Sequence, residues 1–258
     1  MASTFSEQDG VRAESRGHDR AGVKAEGWRP PARLYFITMD DAPVGHLQQV
    51  ETACRAGIRW IQLRMKQASD EEFREMALAA KKLCSGYDCT LIINDRVELA
   101  AATGVDGVHI GKEDMSVSEA RRILGHDKII GGTANTVEDI LEHYRQGADY
   151  IGLGPYRYTT TKKKLSPILG LEGYRAIMQR LREKEGDGEL HAWSQRGIPV
   201  IAIGGVGVED VALVLDAGLA DVAFSGMLVL ATDPKGLVDA LEGEIRRRAA
   251  RETVGETN

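Results

Sequence analysis

The stretch Gln146-Gly147-Ala148-Asp149-Tyr150-Ile151-Gly152-Leu153-Gly154-Pro155 contains the pattern on which most of the chain is built. A glycine ends a helical pattern, a short apolar run typical of a buried strand follows, and glycine and proline close the run with a turn. Similar helix exits, in which a glycine precedes an apolar residue and an aspartate, occur at Thr103-Gly104-Val105-Asp106 and Ala217-Gly218-Leu219-Ala220-Asp221. Three such exits indicate repeated β/α units.

From Leu34 onward, short apolar runs alternate with amphipathic helical patterns. The predicted strands are residues 34–37, 60–63, 90–93, 107–110, 129–131, 150–153, 200–203 and 222–224. The predicted helices lie near residues 46–56, 70–84, 97–103, 116–124, 136–146, 171–183, 208–217 and 234–249. Eight units of this kind predict the α/β class and a single (β/α)8 TIM barrel. A doubly wound sheet is the alternative, although its first strand is more often followed by a glycine-rich turn than by Thr38-Met39-Asp40-Asp41.

The ends of the chain differ from this repeating part. Residues 1–32 are polar and show neither helical nor strand periodicity, which predicts a short disordered or loosely attached N-terminal extension. The barrel is expected to be the catalytic domain and to span residues 33–250, and residues 251–258 are expected to form a flexible tail.

Composition limits the partners of the protein. The 258 residues fit one barrel, and 43% hydrophobic residues with 29 glycines suit an aliphatic core and many tight turns. A net charge of −6 gives no electrostatic footprint for nucleic acid, so any phosphate must be held by local groups. Three cysteines without paired spacing favour free thiols in a reducing compartment. No apolar run is long enough to span a membrane, and a cytoplasmic protein that binds small molecules is expected.

In such a barrel, chemistry is expected at the carboxyl ends of the strands. Alternation along the second strand places Gln62, Arg64 and Lys66 on one side, facing the mouth of the barrel. Asp95 follows the third strand and Asp114 the fourth, and two carboxylates at adjacent strand ends can share Mg²⁺. Solvated charges and a helix cap at Asp95 are the alternatives. A histidine within the fourth strand, His109, is expected to be a hydrogen-bonded core residue.

The remaining strand ends are rich in small and hydroxyl-bearing residues. Thr133 lies in a predicted turn after the fifth strand, where its hydroxyl can reach phosphate or cap the next helix. The sixth strand leads into Gly154-Pro155-Tyr156-Arg157-Tyr158-Thr159-Thr160-Thr161-Lys162, and the last two end in Gly204-Gly205 and Ser225-Gly226. Glycine turns at these strands match a common phosphate site of the fold, with plain turn chemistry as the alternative. Two phosphate-binding regions are predicted.

In order and spacing, these motifs resemble those of the thiamine phosphate synthase family, over a match from about Leu34 to Glu244. The resemblance implies a transferase of thiamine biosynthesis that couples a pyrimidine diphosphate to a thiazole phosphate and releases pyrophosphate. It implies that Asp95 and Asp114 bind Mg²⁺ and that Arg64, Lys66 and Lys162 are catalytic. The implied pyrimidine diphosphate site comprises Gln62, Arg64, Lys66, Asn94, Thr133 and Lys162. The implied thiazole phosphate site comprises Thr159, Thr160, Thr161, Gly205, Ser225 and Gly226.

Some positions depart from the pattern of that family. Thr133 and Gly226 stand where serine is frequent, Asn135 where histidine is common and Lys112 where glutamine is frequent. A sister group that tautomerises the thiazole without coupling is one alternative, and a non-catalytic phosphometabolite-binding barrel is another. The resemblance also implies a homo-oligomer.

Overall fold

The computed structural model describes residue 30 and residues 33–158, 167–186 and 197–255. Eight parallel strands close into a barrel in which each strand pairs with its neighbours in sequence and β8 pairs with β1. The strands are β1 (Leu34–Ile37), β2 (Trp60–Leu63), β3 (Thr90–Asn94), β4 (Gly107–Ile110), β5 (Ile129–Ala134), β6 (Tyr150–Leu153), β7 (Val200–Ala202) and β8 (Asp221–Phe224). The predicted (β/α)8 barrel is confirmed.

Helices connect the strands in the order that the periodicity predicts. They are α1 (His46–Ala56), α2 (Asp70–Ser85), α3 (Val97–Thr103), α4 (Val117–Leu124), α5 (Val137–Arg145), α6 (Gly170–Gly186), α7 (Val211–Asp216), α8 (Gly226–Val229) and α9 (Pro234–Gly255). None of the helices in the described part of the chain combines the length and apolarity needed to cross a membrane.

Several element boundaries differ from the prediction, among them the following three, and the short helix α8 was not predicted. The turn predicted around Thr133 is wrong, because β5 runs on to Ala134 and pairs with the whole of β6. The helix predicted over residues 208–217 is divided into a 3₁₀ turn, Val208–Asp210, and α7. The last helix runs to Gly255, past residue 250, where the prediction ended the barrel.

Two apolar clusters hold the fold together. The larger one lies between the strands and the helices. The smaller one fills the interior of the barrel and comprises Tyr35, Trp60, Ile92, Ile129, Tyr150, Ile201 and Ala223. Because side chains alternate along each strand, one set of residues faces the helices and the other faces the interior. The strand ends above this interior cluster form the mouth of the barrel.

Candidate active site

The loops after β2, β3 and β4 bring a lysine and two carboxylates into contact. Lys66, after β2, forms an ion pair with Asp95, which follows β3. The carboxyl group of Asp95 also shares a hydrogen bond with that of Asp114, after β4. A Cβ atom at Gly111 would lie 2.5 Å from Asp114 Oδ2, so the glycine leaves room for this carboxylate. Lys66, Asp95 and Asp114, chosen from the sequence, thus lie together.

The two carboxyl groups differ in pKa because their neighbours differ. Burial favours the neutral form of Asp95, but its hydrogen bond with Asp114 and its ion pair with Lys66 outweigh burial and lower its pKa. Burial, together with the neighbouring carboxyl of Asp95, raises the pKa of Asp114. Two carboxylates in contact repel each other unless positive charge compensates them. The pair therefore suits a cation.

The oxygen donors of this pair fit Mg²⁺. A hard divalent cation prefers carboxylate oxygens and often takes only one or two from the protein, with water and substrate phosphate completing its shell. Within the described residues, no group of three or more histidine, cysteine or acidic side chains is arranged to hold a metal. The donor set matches a cation that shares its coordination with a phosphorylated ligand.

Asp95 has a left-handed backbone conformation, which its neighbours support. Its φ of 63° is one that residues other than glycine seldom adopt. The guanidinium of the next residue, Arg96, donates to Ala68 O at 2.5 Å and pairs with Asp70. It also lies 4.7 Å from the ring centre of Phe73. Because Arg96 occupies the N-cap position of α3, Asp95 is not the helix cap that was the alternative interpretation.

Arg64 lies beside this cluster in a largely buried position. Its guanidinium is 3.9 Å from Asp40 Oδ2, and burial lowers its pKa. Asp40 Oδ2 also accepts a hydrogen bond from the backbone N–H of Lys66 at 3.2 Å, and Thr38 Oγ1 accepts one from the backbone N–H of Arg64 at 2.9 Å. The loop after β1 therefore braces the loop after β2. Asp40 was absent from the predicted site, because its sequence context gives no sign of these contacts.

Gln62 and Thr133 lie deeper, inside the barrel. Gln62 is 1% exposed, and its Nε2 donates to Tyr35 Oη at 2.7 Å. Thr133 Oγ1 is 2.9 Å from His109 Nε2, and the ring of His109 is buried. The prediction that His109 is a hydrogen-bonded core residue is confirmed. Thr133 does not cap α5, because Thr136 holds that position.

Two asparagines lie at neighbouring strand ends. Asn94 is the last residue of β3, is buried, and faces His109 in the pairing of β3 with β4. Asn135 follows β5, and its Nδ2 donates to the carbonyl oxygen of Gly154 after β6. Asn135 therefore braces the loop after β6 in this chain.

The loops after β6 and β7 form a different surface, made of closely packed backbone. Gly204 and Gly205 have φ values of +82° and +78°. A Cβ atom at Gly205 would lie 2.9 Å from Arg157 Cβ, and one at Gly204 would lie 2.9 Å from Pro155 Cβ. Both the backbone angle and the close approach of the neighbouring loop require glycine here.

A buried carboxylate ties these two loops together. Arg157 forms a two-pronged ion pair with Asp210, and Arg157 Nη2 lies 2.6 Å from Asp210 Oδ1. Asp210 also accepts hydrogen bonds from Tyr156 Oη at 3.2 Å and from the backbone N–H of Gly207 at 2.8 Å. These contacts explain why the predicted helix is interrupted at Asp210. Asp210 was not predicted as a site residue, and nothing in its local sequence marks it.

The loop after β8 contributes Ser225 and Gly226. Ser225 Oγ is buried and has no hydrogen-bond partner among the described residues. Gly226 begins α8, and a Cβ atom there would meet only Met39 Sδ, at 3.8 Å. Unlike Gly205, Gly226 is not required by packing. The remaining predicted residues, Thr159, Thr160, Thr161 and Lys162, lie outside the described residues.

The chain is similar to known proteins over most of its length. A family model described as thiamine monophosphate synthase matches residues 34–228. The chain belongs to the thiamine monophosphate synthase family. Its predicted membership of this family of transferases is confirmed.

Individual members agree with this placement. A thiamine-phosphate synthase of Bacteroides thetaiotaomicron is 47% identical over 78% of this chain and 91% of its own length. One from Flavobacterium psychrophilum is 39% identical over 83% of this chain and 98% of its own length. The solved structure of a thiamine phosphate pyrophosphorylase from Pyrococcus furiosus matches with a TM-score of 0.69 and 30% identity, and covers 83% of this chain and 96% of that one. The family resemblance thus extends over the whole barrel.

Proposed function

We propose that the chain couples a pyrimidine diphosphate to a thiazole phosphate, giving thiamine phosphate and pyrophosphate. The observation that carries this proposal is the ion pair of Lys66 with Asp95, whose carboxyl group meets that of Asp114, beside Arg64 and opposite the glycine turns. One side of the mouth offers cations and metal-binding oxygens. The other offers backbone and the hydroxyl of Ser225, which has no hydrogen-bond partner among the described residues. Two phosphorylated substrates need two such environments.

The side of the mouth formed by the loops after β2, β3 and β4, here called the charged side, holds the pyrimidine diphosphate. Arg64 and Lys66 bind its departing phosphates, and Lys162 is assigned the same role from the sequence. Asp95 and Asp114 hold Mg²⁺, which supplies positive charge to the leaving pyrophosphate when it is bound. Since the cations and the carboxylates are already fixed by the loops, little reorganisation is needed as the charge develops.

The bond to pyrophosphate breaks before the new bond forms. The pyrimidine methylene is left as a resonance-stabilised cation, and the ring nitrogen of the thiazole attacks it with its lone pair. That nitrogen carries no proton to be removed, so the reaction needs positioning of the two substrates and no general base.

The side formed by the loops after β6, β7 and β8, here called the glycine side, holds the thiazole phosphate. Gly205, Ser225 and Gly226 contribute backbone N–H groups and one hydroxyl, and Thr159–Thr161 are assigned to the same phosphate from the sequence. The buried Ser225 Oγ supports this placement, because a phosphate oxygen would give it the partner that it has with none of the described residues.

The remaining proposals concern the setting of the reaction. We place the enzyme in the cytoplasm, where reducing conditions suit the free thiols of Cys54, Cys84 and Cys89. We also propose a homo-oligomer, on the basis of the family resemblance, and no nucleic-acid partner, on the basis of the net charge of −6.

A coupling assay with both substrates tests the function. Pyrophosphate release is measured with each substrate alone, with both together, and with both plus a chelator of divalent cations. We expect release only with both substrates, and its loss with the chelator. Tautomerisation of the thiazole without coupling would instead assign the protein to the sister group of tautomerases. Binding of both substrates without product would indicate a phosphometabolite-binding barrel.

A further inference from the structure

A chain of hydrogen bonds crosses the interior of the barrel from Gln62 to Thr133. Gln62 Nε2 lies 2.7 Å from Tyr35 Oη, and Tyr35 Oη lies 2.8 Å from Tyr150 Oη. Tyr150 Oη is 3.0 Å from His109 Nδ1, and His109 Nε2 is 2.9 Å from Thr133 Oγ1. All five side chains are buried, and they come from five different strands. We call them the interior chain.

The chemistry of its first member gives the interior chain a direction. An amide Nε2 can only donate, so Tyr35 Oη accepts from Gln62. If Tyr35 then donates to Tyr150 Oη, every hydroxyl proton of the interior chain has an acceptor. Tyr150 then donates to His109 Nδ1, which must carry no proton in order to accept. The proton of the neutral imidazole is therefore on Nε2 and is donated to Thr133 Oγ1. The hydroxyl proton of Thr133 is then available to a group that is not part of the interior chain.

The surroundings of the two tyrosines keep them in this arrangement. Burial raises the pKa of Tyr35 and of Tyr150 well above the ordinary value, so both hydroxyls keep their protons at neutral pH. The ring of Tyr35 stacks on Trp60 with a centroid distance of 4.0 Å, and the ring of Tyr150 meets Trp60 edge-on at 4.9 Å. Packed rings hold the hydroxyls at fixed positions.

We propose that Tyr35, Tyr150 and His109 are positioning residues that orient Thr133, so that its hydroxyl presents a proton to an acceptor atom of the pyrimidine diphosphate. This inference rests on the proposed function only for the identity of the ligand. Without a fixed direction, the hydroxyl would present a lone pair as often as a proton. A phosphate oxygen or a ring nitrogen accepts, and a preorganised donor binds either one without a cost in rotational freedom.

The tautomer of His109 provides a test that requires neither turnover nor substrate. The full chain is labelled with ¹⁵N-histidine, and the ring nitrogens of His109 are assigned by NMR in comparison with a His109→Gln variant. We expect a neutral ring with the proton on Nε2. A ring that carries its proton on Nδ1, or on both nitrogens at neutral pH, would overturn the proposal.

Binding measurements test the role of the interior chain in recognition. Tyr150→Phe removes one hydroxyl from the interior chain and keeps the ring. The control, Tyr174→Phe, removes a buried hydroxyl that is not part of the interior chain and donates to Leu153 O at 2.8 Å. Calorimetry should show that Tyr150→Phe weakens binding of the pyrimidine diphosphate about tenfold, with the affinity for the thiazole phosphate within about twofold of wild type. We expect Tyr174→Phe to change neither affinity by more than about twofold.

A double variant separates orientation of Thr133 from general loosening of the barrel. In a Thr133→Val background the hydroxyl is absent, so Tyr150→Phe should weaken binding no further; Thr133→Ser should keep the full effect. Additive losses, or equal losses for both ligands, would overturn the proposal. If the wild-type chain binds the pyrimidine diphosphate but forms no product, the proposed function fails, while the His109 tautomer and these affinities still decide the role of the interior chain.

Discussion

The two sides of the barrel mouth are built in opposite ways. On the charged side, after β2, β3 and β4, the proposed binding surface consists of the side chains of Arg64, Lys66, Asp95 and Asp114. On the glycine side, after β6, β7 and β8, backbone creates it, and Gly205 is where two loops meet too closely for any side chain. As proposed, one side would hold phosphate with side-chain charge and the other with closely packed backbone.

Each kind of surface should fail in its own way. A change on the charged side should alter the electrostatics with little effect on the fold, because a charge can be removed there while the side chain keeps its size. A change at a packed glycine moves backbone and should reduce stability as well as binding. The following variants test this contrast, from the largest expected effect to the smallest.

Asp95→Asn should have the largest effect. Asparagine tolerates the left-handed backbone of this position, so the change removes charge with little strain. Turnover, measured as pyrophosphate release, should fall roughly 100-fold or more, and the half-saturating Mg²⁺ concentration should rise. Glu113→Gln, which neutralises a nearby carboxylate of the loop after β4, serves as the control and should stay within about twofold of wild type. A rate that is unchanged at limiting Mg²⁺ would remove Asp95 from the metal site.

Gly205→Ala should lower stability as well as thiazole phosphate binding. The new methyl group would meet Arg157, and the φ of +78° adds strain, so we expect a loss of about 1–3 kcal/mol in the free energy of unfolding in urea. Gly147→Ala is a matched control, because its φ is +87° and nothing lies within 4 Å of the added atom. Equal losses in the two variants would show that crowding at Gly205 is unimportant.

Arg96→Gln tests how the charged side is supported. The variant loses the ion pair with Asp70 and the contact over Phe73 that fix the turn at Asp95. We expect the half-saturating Mg²⁺ concentration to rise roughly tenfold, with a smaller change in the Michaelis constant of the thiazole phosphate. Arg122→Gln, which breaks an exposed ion pair with Glu119, should change neither. If Arg96→Gln weakened the two substrates equally, its role would be general stability.

Gly226→Ser should have the smallest effect, and a favourable one. The added Cβ atom meets only Met39 Sδ at 3.8 Å, so stability should change by less than about 0.5 kcal/mol. The new hydroxyl beside Ser225 should lower the Michaelis constant of the thiazole phosphate about threefold. An increase in that constant would place the phosphate elsewhere on the glycine side.

The charged side was the easier of the two to predict from the sequence. Lys66, Asp95 and Asp114 are conspicuous at strand ends, because charged residues directly after an apolar strand need a partner or a ligand. The supporting residues were not predictable. Asp40 and Asp210 look like ordinary surface aspartates in the sequence, and only their contacts with Lys66 and Arg157 in the folded chain distinguish them.

The sequence by itself determined the eight β/α units, their order and the charged strand ends, because local periodicity and residue type suffice for each of them. Only the tertiary structure decided that Gln62 and Thr133 are joined through the interior chain, and that Gly205 is required where Gly226 is not. Contacts of this kind depend on strand register and on closure of the barrel, which bring together residues far apart in the chain. No local pattern contains that information.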